Sequence, residues 1–354
     1  MERIRLLQIF TIIFCMVVGL AQANGSGKTR VKPGQSIQAA IDAAKPGDQI
    51  TVQAGTYSEQ LTITTNNLNL VAQDGVYLTP PAAPPATPNG CAGLAGNDTV
   101  AGICIIGTGI QLAPFESEHR KVTAVGSYVE NVLVKGFNVL GFNGLNIAIV
   151  GAKNAVVREN TVSDGTAYGI LTVGSENSLV TRNTVNSSSL LFIGICMDDR
   201  SSVSVTQNYI SDYAIGLCVQ TNGADVGHNK VSNCCYGAYV DPGVSGAKLT
   251  HNHFGPANVN CVAQGGVLSS GITIAGAVNT ELHRNEVTGN TDSAPDSIAT
   301  GILIYDDPSS VANNNHITFN DVEGNEVDIA VYSSGTNEIK HNKCATPADI
   351  CSKQ

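Results

Sequence analysis

Hydrophobic and other residues alternate in short segments that recur along most of the chain. Four fifteen-residue segments begin with glycine, a hydrophobic residue, a variable residue and a second hydrophobic residue, and end with asparagine. They are GILTVGSENSLVTRN (169–183), GICMDDRSSVSVTQN (194–208), GITIAGAVNTELHRN (271–285) and GILIYDDPSSVANNN (301–315). Because period-two alternation is typical of β-strands, each repeat is predicted to hold short strands at the glycine start, before the asparagine and after it.

One such repeat is too short to bury its own hydrophobic side, so consecutive repeats must stack. The prediction is an all-β domain, a single-stranded right-handed parallel β-helix of about 9–11 turns over residues 24–354. We expect Asn183, Asn208, Asn285 and Asn315 at equivalent corners. Asparagine tolerates left-handed backbone angles, and stacked carboxamides can hydrogen-bond from turn to turn.

The N-terminal residues predict two further elements. Residues 1–23 combine Arg3 and Arg5, a hydrophobic run and a small-residue site at Ala21-Gln22-Ala23, a pattern typical of a cleaved secretory signal. The mature chain is therefore expected to begin near Asn24 and to be secreted. Residues 36–44 predict a short amphipathic helix, capped by Ser36, that closes the open end of the stack.

The stretch SIQAAIDAAKPGDQITVQAGTYSEQLTI (36–63) resembles the N-terminal segment of secreted pectin-lyase-like right-handed β-helix proteins. The resemblance extends over most of the mature chain and its motifs specify the fold rather than a reaction. In these families the functional sites lie on the strand that corresponds to the glycine start of each repeat, and on its flanking loops. The resemblance thus implies a site on that face.

Three stretches leave the repeat: a proline-rich insertion at 78–121 and long loops at 255–270 and 288–300. Both long loops precede a glycine-start strand, so they are expected to wall one side of a cleft on its outer face. Long irregular loops on a compact solenoid are often functional.

Paired carboxylates are the candidate chemistry of this cleft. The third and fifth positions of each glycine-start strand should point outward, which places Asp198 and Asp241 on the outer face two turns apart. Two turns separate their backbones by roughly 10 Å. Their carboxyl groups could then reach the ~6.5–9.5 Å of an inverting glycosidase, one as general acid and one as general base.

Neighbouring residues complete the predicted site. Gln220, Tyr239, Arg200 and Tyr305 are expected to bind substrate. Ca²⁺ is a possible cofactor, with Asp198, Asp199 and Asp241 as oxygen ligands, although no dense acidic loop is present. No other metal is expected. The histidines mostly lie beside the asparagine corners, and His119 is the one that the insertion could carry to the cleft.

Two motifs resemble specific enzyme families and depart from them. Asp198-Asp199 is similar to the paired aspartates of polygalacturonases, but no Gly-His-Gly or Arg-Ile-Lys follows. The segment Tyr236–Pro242 is similar to the Tyr…Asp-Pro-His segment of mannuronan C5-epimerases, but Gly243 replaces the catalytic histidine. The sequence therefore favours a carbohydrate-active hydrolase, lyase or epimerase without selecting among these reactions.

The charge of the chain and its cysteines indicate which partners and which cellular compartment to expect. The chain carries 19 basic and 29 acidic residues, a net charge of −10, which disfavours nucleic acid as a partner. No stretch after the signal is long enough to cross a bilayer, and a monomer is expected. Cys91 with Cys104, Cys344 with Cys351, and Cys196 with Cys218 are the expected disulfides. Asn24, Asn97 and Asn186 stand in glycosylation sequons.

Two alternatives to a polysaccharide-modifying enzyme remain open. The outer face carries hydrophobic residues such as Leu171, Val173 and Leu303, and the chain has no tryptophan. Either the insertion covers this face or the cleft binds something small and apolar. The chain could therefore be a non-catalytic extracellular or wall-associated binding protein, or an enzyme that acts on a small apolar molecule.

Overall fold

The chain winds into a parallel β-helix, as its repeats predict. We describe it from a computed structural model, which covers residues 27–83, 88–291 and 296–352. The predicted signal and the Asn24 sequon lie outside these residues. Three long sheets of 12, 11 and 10 parallel strands run along the stack, and each strand pairs with its equivalent in the next turn.

Sheet 1 holds the strands that precede the corner asparagines. It comprises Lys28–Val31, Gln49–Val52, Asn69–Ala72, Leu133–Lys135, Val156–Arg158, Leu179–Thr181, Ser204–Thr206, Asp225–Gly227, Lys248–Thr250, Glu281–His283, His316–Thr318 and Glu338–Lys340. Sheet 2 holds the strands that follow them. It comprises Gly55–Ser58, Val76–Thr79, Asn138–Leu140, Thr161–Ser163, Thr184–Asn186, Tyr209–Ser211, Lys230–Ser232, His253–Phe254, Glu286–Val287, Asp321–Val322 and Lys343–Cys344.

Sheet 3 holds the glycine-start strands. It comprises Leu61–Ile63, Val100–Ile106, Gly144–Val150, Tyr168–Val173, Leu191–Asp198, Tyr213–Val219, Tyr236–Val240, Val267–Ala275, Ile298–Tyr305 and Val327–Tyr332. Two small sheets pair Val129–Glu130 with Ala152–Lys153, and Gln111–Leu112 with Val122–Ala124.

The predicted capping helix is present as Ile37–Ala43, and the Ser36 side chain accepts a hydrogen bond from the Ala39 amide at 3.1 Å. Its Ile37 and Ile41 side chains are buried against the first turn. A second short helix, Ala348–Cys351, lies near the other end of the stack. Among the described residues, no helix is long and apolar enough to cross a membrane.

The repeated glycine has a packing cause. A Cβ atom added at Gly216 would lie 2.4 Å from the Val231 side chain and 2.7 Å from the Gly237 carbonyl oxygen. Gly194 is equally crowded by Ile210 and the Gly216 carbonyl. The turns therefore approach each other too closely at this position for any side chain.

The asparagine ladder is continuous and buried. Each Oδ1 accepts from the backbone amide and side chain of the equivalent asparagine in the turn before, as in Asn208 to Asn229 at 2.9 and 3.0 Å. The ladder runs through Asn160, Asn183, Asn208, Asn229, Asn252, Asn285, Asn320 and Asn342. These bonds satisfy carboxamides that would be costly to bury alone.

Two details of the predicted ladder are wrong. Asn320, not Asn315, is the partner of Asn285, since Glu281–His283 pairs with His316–Thr318. Asn315 instead bonds the Thr280 amide at the preceding corner. The left-handed backbone belongs to the residue before each ladder asparagine, such as His228 with φ 57°. The asparagine itself supplies the hydrogen bonds.

Candidate active site

Sheet 3 presents the outer face that strand alternation predicts. Ile195 and Met197 lie in the main core, whereas Cys196 lies in a separate hydrophobic cluster on the other face of the sheet. The outward positions align from turn to turn, with Cys196 beside Cys218 and Cys218 beside Tyr239. A continuous row of outward side chains therefore runs along the stack.

The insertion covers the first part of this face. Leu94, Leu112 and Val122 pack onto the outward residues Leu171 and Val173, which are fully buried. Part of the predicted insertion 78–121 is itself a regular turn, because Val100–Ile106 is a strand of sheet 3. The predicted Cys91–Cys104 disulfide ties the irregular residues to this strand. The apolar outward residues of these turns thus form a second small core, and the cleft begins where the insertion ends.

The end of the insertion brings two polar side chains, those of His119 and Lys121, to Asp198. His119 is buried, with Nε2 3.0 Å from Asp198 Oδ2 and Nδ1 3.1 Å from the Tyr168 hydroxyl. Lys121 Nζ lies 3.0 Å from the same Asp198 oxygen. Asp198 therefore joins the insertion to sheet 3 through its contacts with His119 and Lys121.

Gln220, one turn further along, connects this ion pair to two more carboxylates. Lys121 Nζ donates to Gln220 Oε1 at 2.5 Å. Gln220 Nε2 donates to Glu118 Oε2 and to Asp241 Oδ2, each at 2.7 Å. The predicted residues Asp198, Gln220 and Asp241 therefore belong to one hydrogen-bonded network.

The pKa of the Asp241 carboxyl group is raised towards neutrality. Burial, and after it the nearby Glu118 carboxylate, raise this pKa to about 7. The hydrogen bond from Gln220 acts in the opposite direction. Oxygens of Glu118 and Asp241 lie within 4.8 Å of each other. A carboxyl group that titrates near neutrality thus lies beside the carboxyl group of Glu118.

These two carboxylates lie in a pocket of about 880 Å³ on the outer face. The Tyr239 and Tyr305 hydroxyls hydrogen-bond at 2.5 Å, and the Tyr236 ring packs edge-on against Tyr239. The walls and floor comprise Glu118, Phe192, Ala214, Ile215, Tyr236, Tyr239, Asp241, Pro242, Gln264, Gly265, Gly266, Val267, Thr273, Ile298, Leu303, Tyr305 and Tyr332. The predicted loop 255–270 supplies Gln264–Val267 of this wall, and the described part of 288–300 supplies Ile298.

Several predicted residues lie elsewhere. Asp198 borders the network but does not line the pocket. Arg200 donates to the Thr123 carbonyl at 2.9 Å, away from the pocket. The structure therefore brings Asp241, Tyr239 and Tyr305 into the pocket, with Gln220 bonded to Asp241, and leaves Arg200 outside.

The three aspartates that could hold calcium are not brought together. Asp199 is buried on the opposite side of the strand, where it accepts hydrogen bonds from the Thr172 hydroxyl at 2.8 Å and the Ser175 amide at 3.1 Å. Burial raises its pKa to about 7. Asp199 therefore stabilises a corner of the fold instead of serving the site.

The predicted Cys196–Cys218 disulfide is absent. Both cysteines are buried free thiols, with their sulfur atoms 2.8 Å apart. Burial raises the pKa of Cys196 to about 11, so this thiol stays protonated near neutrality. The Cys344–Cys351 bridge is present as predicted, and Cys235–Cys261 is a bridge that sequence reasoning missed.

Metal-ligand atom types do meet at this site. Glu118 lies close to His119 and Cys196, and also to Cys218 and Asp241, with ligand atoms within 4.8 Å in each group. However, hydrogen bonds inside the network already link His119 to Asp198 and both carboxylates to Gln220. We assign no metal to these residues.

Sequence reasoning missed Glu118 and Lys121. Both belong to the charged run FESEHRK at the end of the insertion, in which only His119 was a candidate. A dense charged run directly after a proline-rich insertion was the available signal, because the rest of the insertion is nearly uncharged.

Comparisons with known proteins agree with this architecture. The sequence profile described as "Right handed beta helix region" matches residues 54–254 and 194–346. A search of curated proteins found no match.

Solved structures share the fold at low sequence identity. DFA-IIIase from Arthrobacter chlorophenolicus A6 is 14% identical, with a TM-score of 0.53 over 82% of this chain and 87% of that one. The family 28 exopolygalacturonase of Yersinia enterocolitica is 12% identical, with a TM-score of 0.53 over 91% and 79%. The Dettilon tailspike protein is 14% identical, with a TM-score of 0.52 over 91% and 69%. At these identities the similarity concerns the fold, and with the profile match it shows that this chain belongs to the right-handed β-helix family.

Proposed function

We propose that this protein hydrolyses a glycosidic bond of a neutral carbohydrate, with Asp241 as general acid and Glu118 as its carboxylate partner. The observation that carries the proposal is the pair itself. A partly buried carboxyl group with a pKa of about 7 lies within 4.8 Å of a second carboxyl group, in a pocket walled by tyrosines. Glycosidases use a pair of carboxyl groups on either side of the bond that they cleave.

The chemistry follows from the two protonation states. Asp241 donates its proton to the glycosidic oxygen as the bond to the anomeric carbon breaks, so the leaving group departs as a neutral alcohol. Glu118 attacks the anomeric carbon and forms a glycosyl ester. Ionised Asp241 then removes a proton from water, which hydrolyses the ester and restores both groups. Because this pair is close, we expect retention of configuration; the wider Asp198–Asp241 pair would give inversion.

Asp198 has a supporting role in this scheme. It holds His119 and Lys121 at the end of the insertion, and these residues follow Glu118 closely in the chain. Lys121 in turn fixes the Gln220 amide that contacts both carboxylates. Asp198 and Lys121 are therefore positioning residues, with no substrate contact of their own.

The charges of the pocket favour a neutral sugar. Among its described lining residues, Glu118 and Asp241 are the ionisable carboxylates and no lysine or arginine is present. A uronate would meet like charge from these two carboxylates, because Lys121, the cation beside Asp241, is already paired with Asp198 and bonded to Gln220. This argues against the lyase and epimerase reactions and against an acidic polysaccharide.

One observation favours a second candidate, an enzyme that acts on a small apolar molecule. Phe192, Val267, Ile298 and Leu303 make part of the wall apolar. Pockets of this size bind small ligands with few polar anchors. Carbohydrate remains the better fit because four tyrosines and two carboxylates also line the pocket.

The test is a panel of neutral oligosaccharides of glucose, xylose, mannose and fructose, with oligogalacturonate for comparison, followed by reducing-end release. Asp241→Asn should lower kcat/KM for any hydrolysed sugar by about 10²–10⁴-fold while binding persists. Asp225→Asn, an exposed carboxylate on sheet 1, is the matched control. Full activity in Asp241→Asn, or hydrolysis of oligogalacturonate alone, would refute the proposal.

We also infer that the protein is secreted. Three disulfides, Cys91–Cys104, Cys235–Cys261 and Cys344–Cys351, support folding in an oxidising compartment. Expression with residues 1–23 intact should yield extracellular protein with its N-terminus near Asn24. Retention of the intact N-terminus inside the cell would contradict this inference.

A further inference from the structure

We propose that the pocket is closed at one end and binds only the terminal units of a carbohydrate chain, with Tyr305 and Tyr332 forming the subsite for the units that follow. The inference rests on the proposed function and concerns the form of its substrate. The pocket would bind chain ends or short oligosaccharides, and it would not bind the middle of a long chain.

The closed end is made by the insertion. A long chain lying across the outer face would continue from Asp241 past Gln220 and Asp198 onto the turns that carry Leu171 and Ala148. Leu171 and Ala148 are fully buried beneath the insertion. At ~4.8 Å per turn, this covered stretch begins within about three turns of Asp241.

Polar contacts seal the boundary between the insertion and the sheet. His119 and Lys121 both contact Asp198 at 3.0 Å, and Glu118 reaches Gln220 at 2.7 Å. The His119 side chain is completely buried in this contact. The seal lies next to Asp241, so the reacting bond would be held at the blocked end of the pocket.

The other end is open. Ala275, Tyr305 and Tyr332 follow one another at the same outward position on the next three turns, in register. Exposure rises along this row: Ala275 is buried, Tyr305 is partly buried and Tyr332 is 64% exposed. The row spans roughly 14 Å from the turn of Asp241.

The open row has the chemistry of a sugar subsite. Tyrosine rings offer a rigid apolar face with a hydroxyl at its rim, and so accept ligands that are apolar on one side and polar at the edge. The hydroxyl pair of Tyr239 and Tyr305 fixes one ring in place. Tyr332 has no comparable restraint among the hydrogen bonds of the described residues, which suits an outer subsite that adapts to its ligand.

The test measures binding by titration calorimetry with the active neutral sugar from the panel, as oligomers of two to six units and as the long polymer. Where no panel sugar is turned over, the same titration is run with gluco-, xylo- and fructo-oligosaccharides. Affinity should rise with length until the open row is filled and then stay constant. For the polymer, the number of sites should follow the concentration of chain ends, independent of polymer mass.

Tyr332→Ala should weaken binding of the longer oligomers by roughly fivefold or more and leave the shortest unchanged. Tyr209→Ala, a 41% exposed tyrosine on sheet 2, is the matched control. Sites that scale with polymer mass, or products of random length from an end-labelled oligomer, would overturn the closed end. Equal weakening of short and long oligomers in Tyr332→Ala would overturn the outer subsite.

Binding that follows this pattern without turnover would contradict the proposed hydrolysis and leave the chain-end inference standing. Hydrolysis at internal bonds would support the proposed hydrolysis and contradict the chain-end inference. Absence of binding to every oligomer would refute both proposals, because each of them requires a sugar to bind in the pocket.

Discussion

Glu118 and Asp241 accept hydrogen bonds from the same nitrogen atom, Gln220 Nε2, at 2.7 Å each. Glu118 comes from the insertion and Asp241 from sheet 3, more than a hundred residues later in the chain. The shared donor holds two acidic groups together that would otherwise repel each other. Burial of Asp241, and next the charge of Glu118, raise the pKa of Asp241 to about 7.

Activity should therefore fall above neutral pH. The pKa of Asp241 is raised to about 7, and its protonated form is the active one, so kcat/KM should decrease about tenfold per pH unit well above 7. A pH–rate profile checks this. In Glu118→Gln, carboxyl titration followed by infrared spectroscopy should place the pKa of Asp241 lower, because the neighbouring charge is gone. An unchanged or higher pKa in that variant would be inconsistent with the coupling.

Gln220→Ala should weaken catalysis by leaving the two carboxylates unbridged. Since the Gln220 hydrogen bond lowers the pKa of Asp241, its loss should move the alkaline limit of activity upward while kcat falls roughly tenfold or more. Gln111→Ala, an exposed glutamine on the insertion, is the control. An unchanged alkaline limit in Gln220→Ala would show that the amide does not act on Asp241, and a lower limit would contradict the direction of its effect.

Asp199 should make the fold more stable in mild acid. Its folded-state pKa is raised from 3.8 to about 7, so its contribution is fully present below pH 3.8 and is lost as the pH rises to about 7. The loss amounts to at most about 4 kcal/mol, at about 1.4 kcal/mol per unit of pKa shift. Asp199→Asn should flatten the pH dependence of the free energy of unfolding between pH 4 and 7, measured by urea denaturation. Equal slopes in both proteins would contradict the assignment.

Among the described residues there are three free thiols, Cys196, Cys218 and Cys234, and they should resist alkylation in the native protein. All three are buried, and burial raises the pKa of Cys234 to about 12 and of Cys196 to about 11. Mass spectrometry after alkylation without reductant should find none of them modified in native protein and all three after denaturation. If only Cys234 is modified after denaturation, Cys196 and Cys218 are bridged and the sequence prediction is restored.

Strand alternation predicted the direction of side chains on sheet 3 because buried and outward positions must alternate along a strand. Ile195 and Met197 point inward, and Cys196 points outward, for this reason. The ladder partner of Asn285 was missed because a bend at Asp306–Ser310 lengthens that turn, so a fixed spacing selected Asn315 instead of Asn320. The repeat pattern predicts the average spacing between corner asparagines, but it does not show where extra residues lengthen one turn.

Only the part of the site that lies on sheet 3 could be predicted from the sequence. Asp241, Tyr239 and Tyr305 follow from the repeat, but Glu118 and Lys121 lie on an insertion whose path no periodicity constrains. Asp198 and Asp199 are adjacent in sequence and take opposite directions, which alternation does explain. Asp198 contacts His119 and Lys121 of the insertion and does not line the pocket. These tertiary contacts could not be predicted from the repeat.

The central claim is that Asp241 donates a proton to the leaving group. The most direct measurement compares kcat/KM of Asp241→Asn and the unmodified protein on two glycosides of the same sugar, one with an alcohol and one with an acidic phenol as leaving group. The account predicts a loss of about 10²–10⁴-fold with the alcohol and a much smaller loss with the phenol, which departs without protonation. Equal losses with both leaving groups would contradict it.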